Sequence, residues 1–316
     1  MCSQVIIRTA IRGALGVSLS ASILSAGTLG AAQGWGAFIF GNSTDNADMA
    51  SRMAVGGTAG QNVTSIGSQI LAGPTTLNNN VVAIIDGAQA NNGINLLSSQ
   101  AGYNKGGPVN NGTKLASDPL GSIASYQTFY QNTSSALTGL GQSTGFSLVS
   151  NNGQGNTLDV TSNASTVVIN LTTSQWQTLS NVQAGANQTV IINITNYAGQ
   201  TGGSYSMEFN GSQVSLQTGT QFKNVLFNFG LYSGTLALGN ETLGTILAPN
   251  ATVTSAQDVN GGIIAQGLGS TGELHDASNF TGNIPTVGTV PEPSTFALLG
   301  GALLALGLYR RRRRKL

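Results

Sequence analysis

Short apolar runs separated by Gly, Asn, Ser and Thr recur along most of the chain, and they predict β-strands. Over 167–172 and 190–195, aliphatic residues occupy alternate positions, as in a strand with one buried face. The predicted strands are 35–40, 52–57, 66–71, 81–85, 94–97, 167–172, 190–195, 206–209, 214–216, 225–229, 236–238, 245–247, 251–254 and 262–265.

Late in the chain these strands are short, about ten residues apart and bounded by small residues, which favours a β-solenoid. No strict repeat is visible. The expected fold class is mainly β, a single β-helix-like solenoid domain with one flanking helical segment. A β-sandwich is the alternative.

The flanking segment spans 118–140, contains little Gly and predicts one helix or two short ones. Asp118 can cap a helix and Pro119 suits its first position. Gly139 and Gly141 mark the expected end. The apolar stripe consists of Ile123, Tyr126, Phe129, Tyr130, Leu137 and Leu140.

The N-terminal segment 1–32 follows the order of a secretory signal peptide. Arg8 and Arg12 give a basic start, 11–29 is mostly apolar, and the small residues Gly30, Ala31 and Ala32 follow. We predict cleavage after Ala32, within a few residues. A buried N-terminal helix is the alternative.

The C-terminal segment 291–316 combines a proline motif, an apolar run and a basic end. The motif is Pro291, Glu292 and Pro293, and the apolar run is 296–309. A helix of about 15 residues is about 22 Å long, somewhat short of a hydrocarbon core of about 30 Å. Long arginine stems extend its reach, and basic residues stay on the cytoplasmic side. The basic end is Arg310, Arg311, Arg312, Arg313, Arg314 and Lys315.

This ending resembles the PEP-CTERM sorting signal of Gram-negative bacteria. The resemblance implies recognition by a membrane transpeptidase of the exosortase type and cleavage near Pro291-Glu292-Pro293. It also implies release or attachment at the surface, often alongside exopolysaccharide. An ordinary single-pass membrane anchor is the alternative.

Charge changes the picture once the two ends are set aside. Residues 33–290 contain four basic and ten acidic residues, a formal charge of about −6, so no nucleic-acid partner is expected. The single cysteine, Cys2, lies in the predicted signal, so disulfides and thiolate metal sites are excluded from the mature chain. We expect no cofactor and no metal.

Few residues suggest chemistry. His275 is the one histidine, and Glu273 would lie on the same face of its strand. The two could form a metal-binding or proton-transfer pair. We favour a structural hydrogen bond instead. Pro249 and Asn250 predict a solenoid corner. Arg52 is expected to pair with Asp45 or Asp48. No nucleophile–base set is visible, so we predict no enzyme and no catalytic residue.

Several motifs together resemble the choice-of-anchor A domain: FIFG at 38–41, RMAVGG at 52–57, NVLFNF at 224–229, LGTILAPNA at 243–251, VNGGIIA at 259–265 and GELH at 272–275. The resemblance covers about residues 34–282 and implies an adhesive domain joined to varied surface anchors. The motif residues expected to be structural are Arg52, Gly56, Gly57, Asn228, Pro249, Asn250, Gly261, Glu273 and His275.

The expected organisation is a signal peptide over 1–32, one β-rich domain over 33–282, a linker over 283–290 and the sorting signal with its transmembrane helix over 291–316. We predict transient residence in the inner membrane, then the cell surface or extracellular matrix. The leading hypothesis is an adhesin that binds exopolysaccharide or another matrix polymer through a flat polar β-face. An ice-binding solenoid is the alternative, although regular Thr ranks are not visible, and a polysaccharide-active enzyme is a third.

Overall fold

The computed structural model describes residues 29–44, 49–60, 66–68, 80–87, 93–150, 155–195, 222–230, 232–238, 241–275 and 280–285. Its strands are β1 (Ala37–Ile39), β2 (Met53–Val55), β3 (Val81–Ile85), β4 (Ile94–Asn95), β5 (Ala101–Asn104), β6 (Val109–Asn110), β7 (Thr113–Lys114), β8 (Phe146–Ser150), β9 (Asn156–Val160), β10 (Thr166–Thr172), β11 (Leu179–Gln183), β12 (Thr189–Thr195), β13 (Val225–Asn228), β14 (Thr235–Leu238), β15 (Thr242–Leu243), β16 (Thr245–Ser255), β17 (Val259–Asn260), β18 (Ile263–Leu268) and β19 (Leu274–His275). The helices are α1 (Gln127–Thr138) and α2 (Thr173–Gln177), with 3-10 helices at Gly30–Ala32, Ile123–Tyr126 and Phe222–Asn224.

The chain is mainly β, as predicted, and its largest sheet is parallel throughout. Strands follow the order β10-β12-β13-β16-β18-β1-β2-β3-β5-β7, and β14 pairs with β16 beside this path. Parallel ladders of this length fit a β-solenoid, because immunoglobulin-type sandwiches are built from antiparallel sheets. Among the described strands, the antiparallel pair is β8 with β9.

The strand order shows that the chain begins in the middle of this sheet. From β1 it builds outward to β7 at one edge, and the strands from β10 onward build inward from the other edge. The two halves meet where β18 pairs with β1, with Ala37 opposite Ile263 and Ile39 opposite Ala265. Strands from opposite ends of the domain are therefore direct neighbours.

We call the stretch of chain from one strand of the large sheet to the paired strand that follows it a coil, and these coils are longer than the strand spacing predicted from the sequence. Ala37 of β1 pairs with Met53 of β2, and Ile246 of β16 pairs with Ile263 of β18. One coil is longer than one strand spacing because it contains more than one stretch of strand. Within β16, the residues up to Leu247 pair with β13, and those from Thr252 onward pair with β14.

The middle of the large sheet is buried on both faces. Ala37 and Ile39 enter one core, whereas Phe38 and Phe40 enter a second core on the opposite side. Tyr130 of α1 covers this second core, with its ring centroid 5.8 Å from that of Phe38 and 5.6 Å from that of Phe40. Burial on two faces explains why many of these strands read as nearly continuous apolar runs.

The helical segment begins later than predicted. Asp118 and Pro119 do not open it, because the 3-10 helix starts at Ile123 and α1 at Gln127. The Asp118 carboxylate instead accepts a hydrogen bond from the backbone N–H of Leu120 at 2.8 Å and so closes a local turn. The predicted end is confirmed, since Gly139 is the C-cap of α1.

Other differences from the predicted elements are local. The predicted strand over 66–71 is wrong where it is described, because 66–68 forms a turn. The predicted strands over 206–209 and 214–216 lie outside the described residues. The strands that have no counterpart among the predicted ones are β5, β6, β7, β8, β9, β11, β15, β17 and β19. Exposed positions dominate β8.

Candidate functional site

Two threonines face each other and a third lies close by where β14 lies beside β16. Thr235 is paired with Thr252, and two residues further along, Ala237 is paired with Thr254. Val253, between the two threonines of β16, points into the core and is fully buried, so the paired positions share the outer face. Neighbouring strands lie about 4.8 Å apart and alternate residues about 6.6 Å apart. Thr235 and Thr252 are therefore one strand spacing apart, and Thr252 and Thr254 are one alternate-residue spacing apart.

Strand β18 and the segment after β1 extend this surface. Gly267 of β18 is paired with Thr252 and adds no side chain. The backbone N–H of Thr44 donates to the carbonyl of Leu268 at 2.8 Å, which holds the exposed Thr44 on the far side of β18. We call Thr44, Thr235, Thr252 and Thr254 the threonine face. None of these four side chains is charged, and each hydroxyl can donate and accept hydrogen bonds.

The threonine face could not be recognised in the sequence as a set of Thr ranks. Thr235 and Thr252 belong to the paired strands β14 and β16, which are separated in the chain by β15, and Thr44 comes from the segment after β1, at the other end of the domain. Their proximity depends on strand pairing that joins the two ends of the domain. A search for threonines separated by one full coil would have found the first pair.

Asn228 is buried in a row of asparagines beneath α1. Strand register places Asn170, Asn193 and Asn228 side by side on β10, β12 and β13. The Asn193 amide donates to Asn170 at 3.0 Å, and the Asn228 amide donates to Asn193 at 2.8 Å. The row also reaches α1, because Asn228 donates to the Ser134 carbonyl at 2.9 Å and Asn193 to the Leu137 carbonyl at 2.8 Å. It attaches the helix to the sheet.

Arg52 lies directly before β2 and is fully buried. Its Nη1 atom donates to the backbone carbonyl of Gly34 at 3.3 Å. The predicted partners Asp45 and Asp48 lie outside the described residues. Gly34 precedes β1, so Arg52 connects two neighbouring coils.

The remaining glycine and proline motif residues lie where coils meet. At Gly56, Gly57 and Gly261, an added Cβ would collide with the backbone or side chain of an adjacent coil. Pro249 and Asn250 lie inside β16, where its register against β18 shifts between Ala248 and Thr252. Such a shift is typical of a strand that bends around a corner.

The structure brings Glu273 and His275 together and adds Asp258, which the sequence did not single out. The His275 Nε2 atom lies 3.5 Å from Asp258 Oδ2 and 3.9 Å from Glu273 Oε2. Asp258 also accepts a hydrogen bond from the Glu273 backbone N–H at 2.9 Å. The Asp258 side chain is half-exposed, so these groups tie β17 to β19 at the protein surface.

The described ranges hold neither a metal-binding cluster nor a membrane-crossing helix. Within them, no group of three or more His, Cys, Asp and Glu side chains is suited to a metal ion. Their helices are too short or too polar to cross a membrane. The sorting motif 291–293, the apolar run 296–309 and the basic end 310–315 lie outside the described residues.

A pair of carboxyl groups, unforeseen in the sequence, lies at the start of the helical segment. Burial raises the pKa of the Asp118 carboxyl to about 7, the Leu120 hydrogen bond opposes this rise, and the neighbouring Asp86 carboxylate adds to it. Asp86 itself accepts a hydrogen bond from the backbone N–H of Ile123 at 2.8 Å. Asp86, which follows β3, and Asp118, which precedes the helical segment, thus lie together and bind the backbone at the start of that segment.

Protein stability should fall as the pH rises through neutrality because of Asp118. Its folded-state pKa of about 7 exceeds the ordinary value of 3.8, so its contribution is fully present below pH 3.8 and is lost as the pH rises through 7. We expect Asp118→Asn to flatten the pH dependence of the melting temperature between about pH 5 and about pH 8, as measured by circular dichroism. Asp86→Asn should reduce the fall, because it removes the carboxylate that adds to the rise in pKa. An unchanged profile in Asp118→Asn would contradict the assignment.

Comparison with known proteins gives two matches to family models. Residues 28–276 match the family described as "Putative Ice-binding-like adhesive domain", and residues 289–314 match the PEP-CTERM protein-sorting motif. No curated protein and no solved structure matches the chain. The choice-of-anchor A name is not among these matches, whereas the predicted sorting signal is confirmed.

These matches fix the broad class of the protein. The sorting motif implies export through the membrane and exosortase-dependent sorting of a surface protein. Both matched regions are of adhesive and sorting types rather than enzymatic ones. Because the first match spans most of its length, the chain belongs to the family of ice-binding-like adhesive domains.

Proposed function

We propose that this protein is a surface adhesin whose β-solenoid binds an uncharged polysaccharide of the cell matrix through the threonine face. The observation that carries the proposal is the pairing of Thr235 with Thr252 and of Ala237 with Thr254 on one outer face. A repeating polymer presents hydroxyl groups at regular intervals. A fixed grid of threonine hydroxyls and methyl groups can match such a polymer over several sugar units without charge.

Rigidity supports this proposal. The inner side of the same strands is closed by fully or nearly fully buried Leu236, Val253 and Leu268, so the outer threonines stand on a packed core. A preorganised surface loses little conformational entropy when it binds a ligand. Many weak contacts can then add up to useful affinity.

The two ends would deliver this domain to the surface. The N-terminal signal peptide would direct export, and the apolar run 296–309 would hold the chain in the inner membrane until an exosortase-type transpeptidase acts at Pro291-Glu292-Pro293. Ile284 still packs in the second core, so the residues between it and Pro291 would form the linker that separates this tail from the β-rich domain. The matched sorting motif supports this route.

We expect Thr252→Lys to weaken retention of the exported protein on the producer's own exopolysaccharide by about tenfold, equivalent to about 1.4 kcal/mol. A lysine at this position would raise a bulky, hydrated cation above the grid. Thr113→Lys on β7 is the matched control, because Thr113 is also a surface strand threonine but lies at the far edge of the sheet. Equal retention of the two variants, both folded by circular dichroism, would contradict the proposal.

Ice binding is the second candidate, and the observation that favours it is the pairing of Thr235 with Thr252 beside Thr254 on the outer face. Ordered threonine hydroxyls can match the water lattice of an ice plane as well as a polymer. Inhibition of ice recrystallisation by the exported protein, lost in Thr252→Lys and kept in Thr113→Lys, would support this candidate. Retention on exopolysaccharide without an effect on ice would exclude it.

A further inference from the structure

We infer that residues 29–33 remain in the exported protein and that the signal peptide is removed ahead of Leu29. This inference goes beyond the proposed function, because it concerns where the mature chain begins. We call these five residues the N-terminal clasp. Leu29 and Ala32 are only 4% and 3% exposed, and both pack in the core beneath α1. A cut after Ala32 would remove four of the five clasp residues.

Tyr130 shows what such a cut would cost. Its hydroxyl donates to the carbonyl of Leu29 and accepts from the backbone N–H of Ala32 at 2.7 Å. Tyr130 is fully buried, at 0% exposure. Loss of Leu29 and Ala32 would therefore remove both of these partners from a hydroxyl that lies in an apolar core, which is strongly unfavourable.

The clasp also touches the other end of the domain. The Gln33 side-chain amide donates to the carbonyl of Phe280 at 2.8 Å. Leu29 and Ala32 line a small cavity together with Trp35 and Phe280. A chain that began at Gln33 would expose this cavity and place a charged α-amino group beside it, which costs free energy in an apolar setting.

The sequence offers a processing signal at the required place. Ser25-Ala26-Gly27 supplies small residues at the two positions that signal peptidase reads, the third and the first before the cut. A cut after Gly27 would make Thr28 the first residue and leave the whole clasp in place. The match to the adhesive-domain family independently begins at residue 28.

Mass spectrometry of the N-terminal peptide of the exported full-length product tests this inference. We expect the peptide to begin at Thr28, which would support both the retained clasp and the processing signal. A first residue at Gly30 or later would overturn the inference. A peptide that begins at any residue other than Thr28 would overturn the choice of Ser25-Ala26-Gly27 as the processing signal.

A pair of variants makes the test independent of folding, because only the processed mass is read. Gly27→Leu should leave most of the product as uncut precursor, since signal peptidase needs a small residue before its cut. Ala32→Leu is the matched control and should be processed as fully as the wild type. The opposite result, with Ala32→Leu uncut and Gly27→Leu processed, would place the cut after Ala32. This readout does not depend on what the protein binds.

Discussion

Replacement of Asn228 by alanine is expected to lower the free energy of unfolding by about 3 kcal/mol. The buried Asn228 amide donates to the Asn193 side chain and to the Ser134 carbonyl, and its oxygen accepts from the Ser134 hydroxyl. Alanine would leave these groups buried without this partner, and each such group costs about 1–3 kcal/mol. The melting temperature should fall by about 6–12 °C in thermal unfolding followed by circular dichroism.

Asn170→Ala is the matched control for this prediction. Asn170 stands at the outer end of the same row, is partly exposed, and accepts one hydrogen bond from Asn193. Water can replace that partner, so its loss should cost less than about 1 kcal/mol. Equal effects of the two substitutions would show that the row does not hold α1 on the sheet.

The asparagine row also shows what an alternating strand pattern can and cannot predict. Asn170, Asn193 and Asn228 interrupt three apolar runs at equivalent places, and the first two read as polar positions on an outward strand face. Alternate residues do point to opposite faces, but the expectation of one buried face is wrong, because both faces of these strands are largely buried. The face that carries the asparagines is covered by α1, so Asn193 and Asn228 are buried and bonded to the helix. Periodicity identifies a face and not what covers it.

Strand pairing is the main feature of the fold that could not be predicted from the sequence. A local pattern determines whether a segment is extended, but the pairing of Ala37 with Ile263 joins residues from opposite ends of the domain. The threonine face depends on the same long-range pairing through Thr44 and Leu268. The mainly β class and the helical segment were therefore accessible from sequence, whereas the candidate binding surface was not.

Pro249 marks a corner that the sequence located correctly, although the strand does not end there. The sequence predicts two strands separated by a corner around Pro249 and Asn250. The structure has one strand, β16, that continues through both residues while its register shifts. Proline cannot donate to a strand ladder and is tolerated at such irregularities. A corner and a continuous strand are thus compatible in this coil.

Gly261→Ala is expected to have the largest effect, lowering the free energy of unfolding by about 4 kcal/mol or preventing folding. An added Cβ would overlap the carbonyl oxygen of Gly244 on the adjacent coil, far inside the 3.0 Å that real Cβ atoms keep from other heavy atoms. Neither coil can move away freely, because Gly244 donates to the Asn260 carbonyl at 3.1 Å and Ile246 donates to the Gly262 carbonyl at 2.7 Å. Relief of the collision would break this ladder on one side or the other.

Gly262→Ala separates this collision from a general intolerance of side chains in the turn. Gly262 is the next residue and is also buried, but its added Cβ would meet Thr245 and the Trp35 carbonyl at 3.4 Å, which adjacent groups can accommodate by small shifts. We expect a change of less than about 1 kcal/mol, partly offset by the lower entropy of the unfolded chain. Denaturant unfolding of both variants measures the difference directly. Equal stability of Gly261→Ala and Gly262→Ala would contradict this prediction. It would mean that Gly261 does not lie as close to Gly244 as the structure shows.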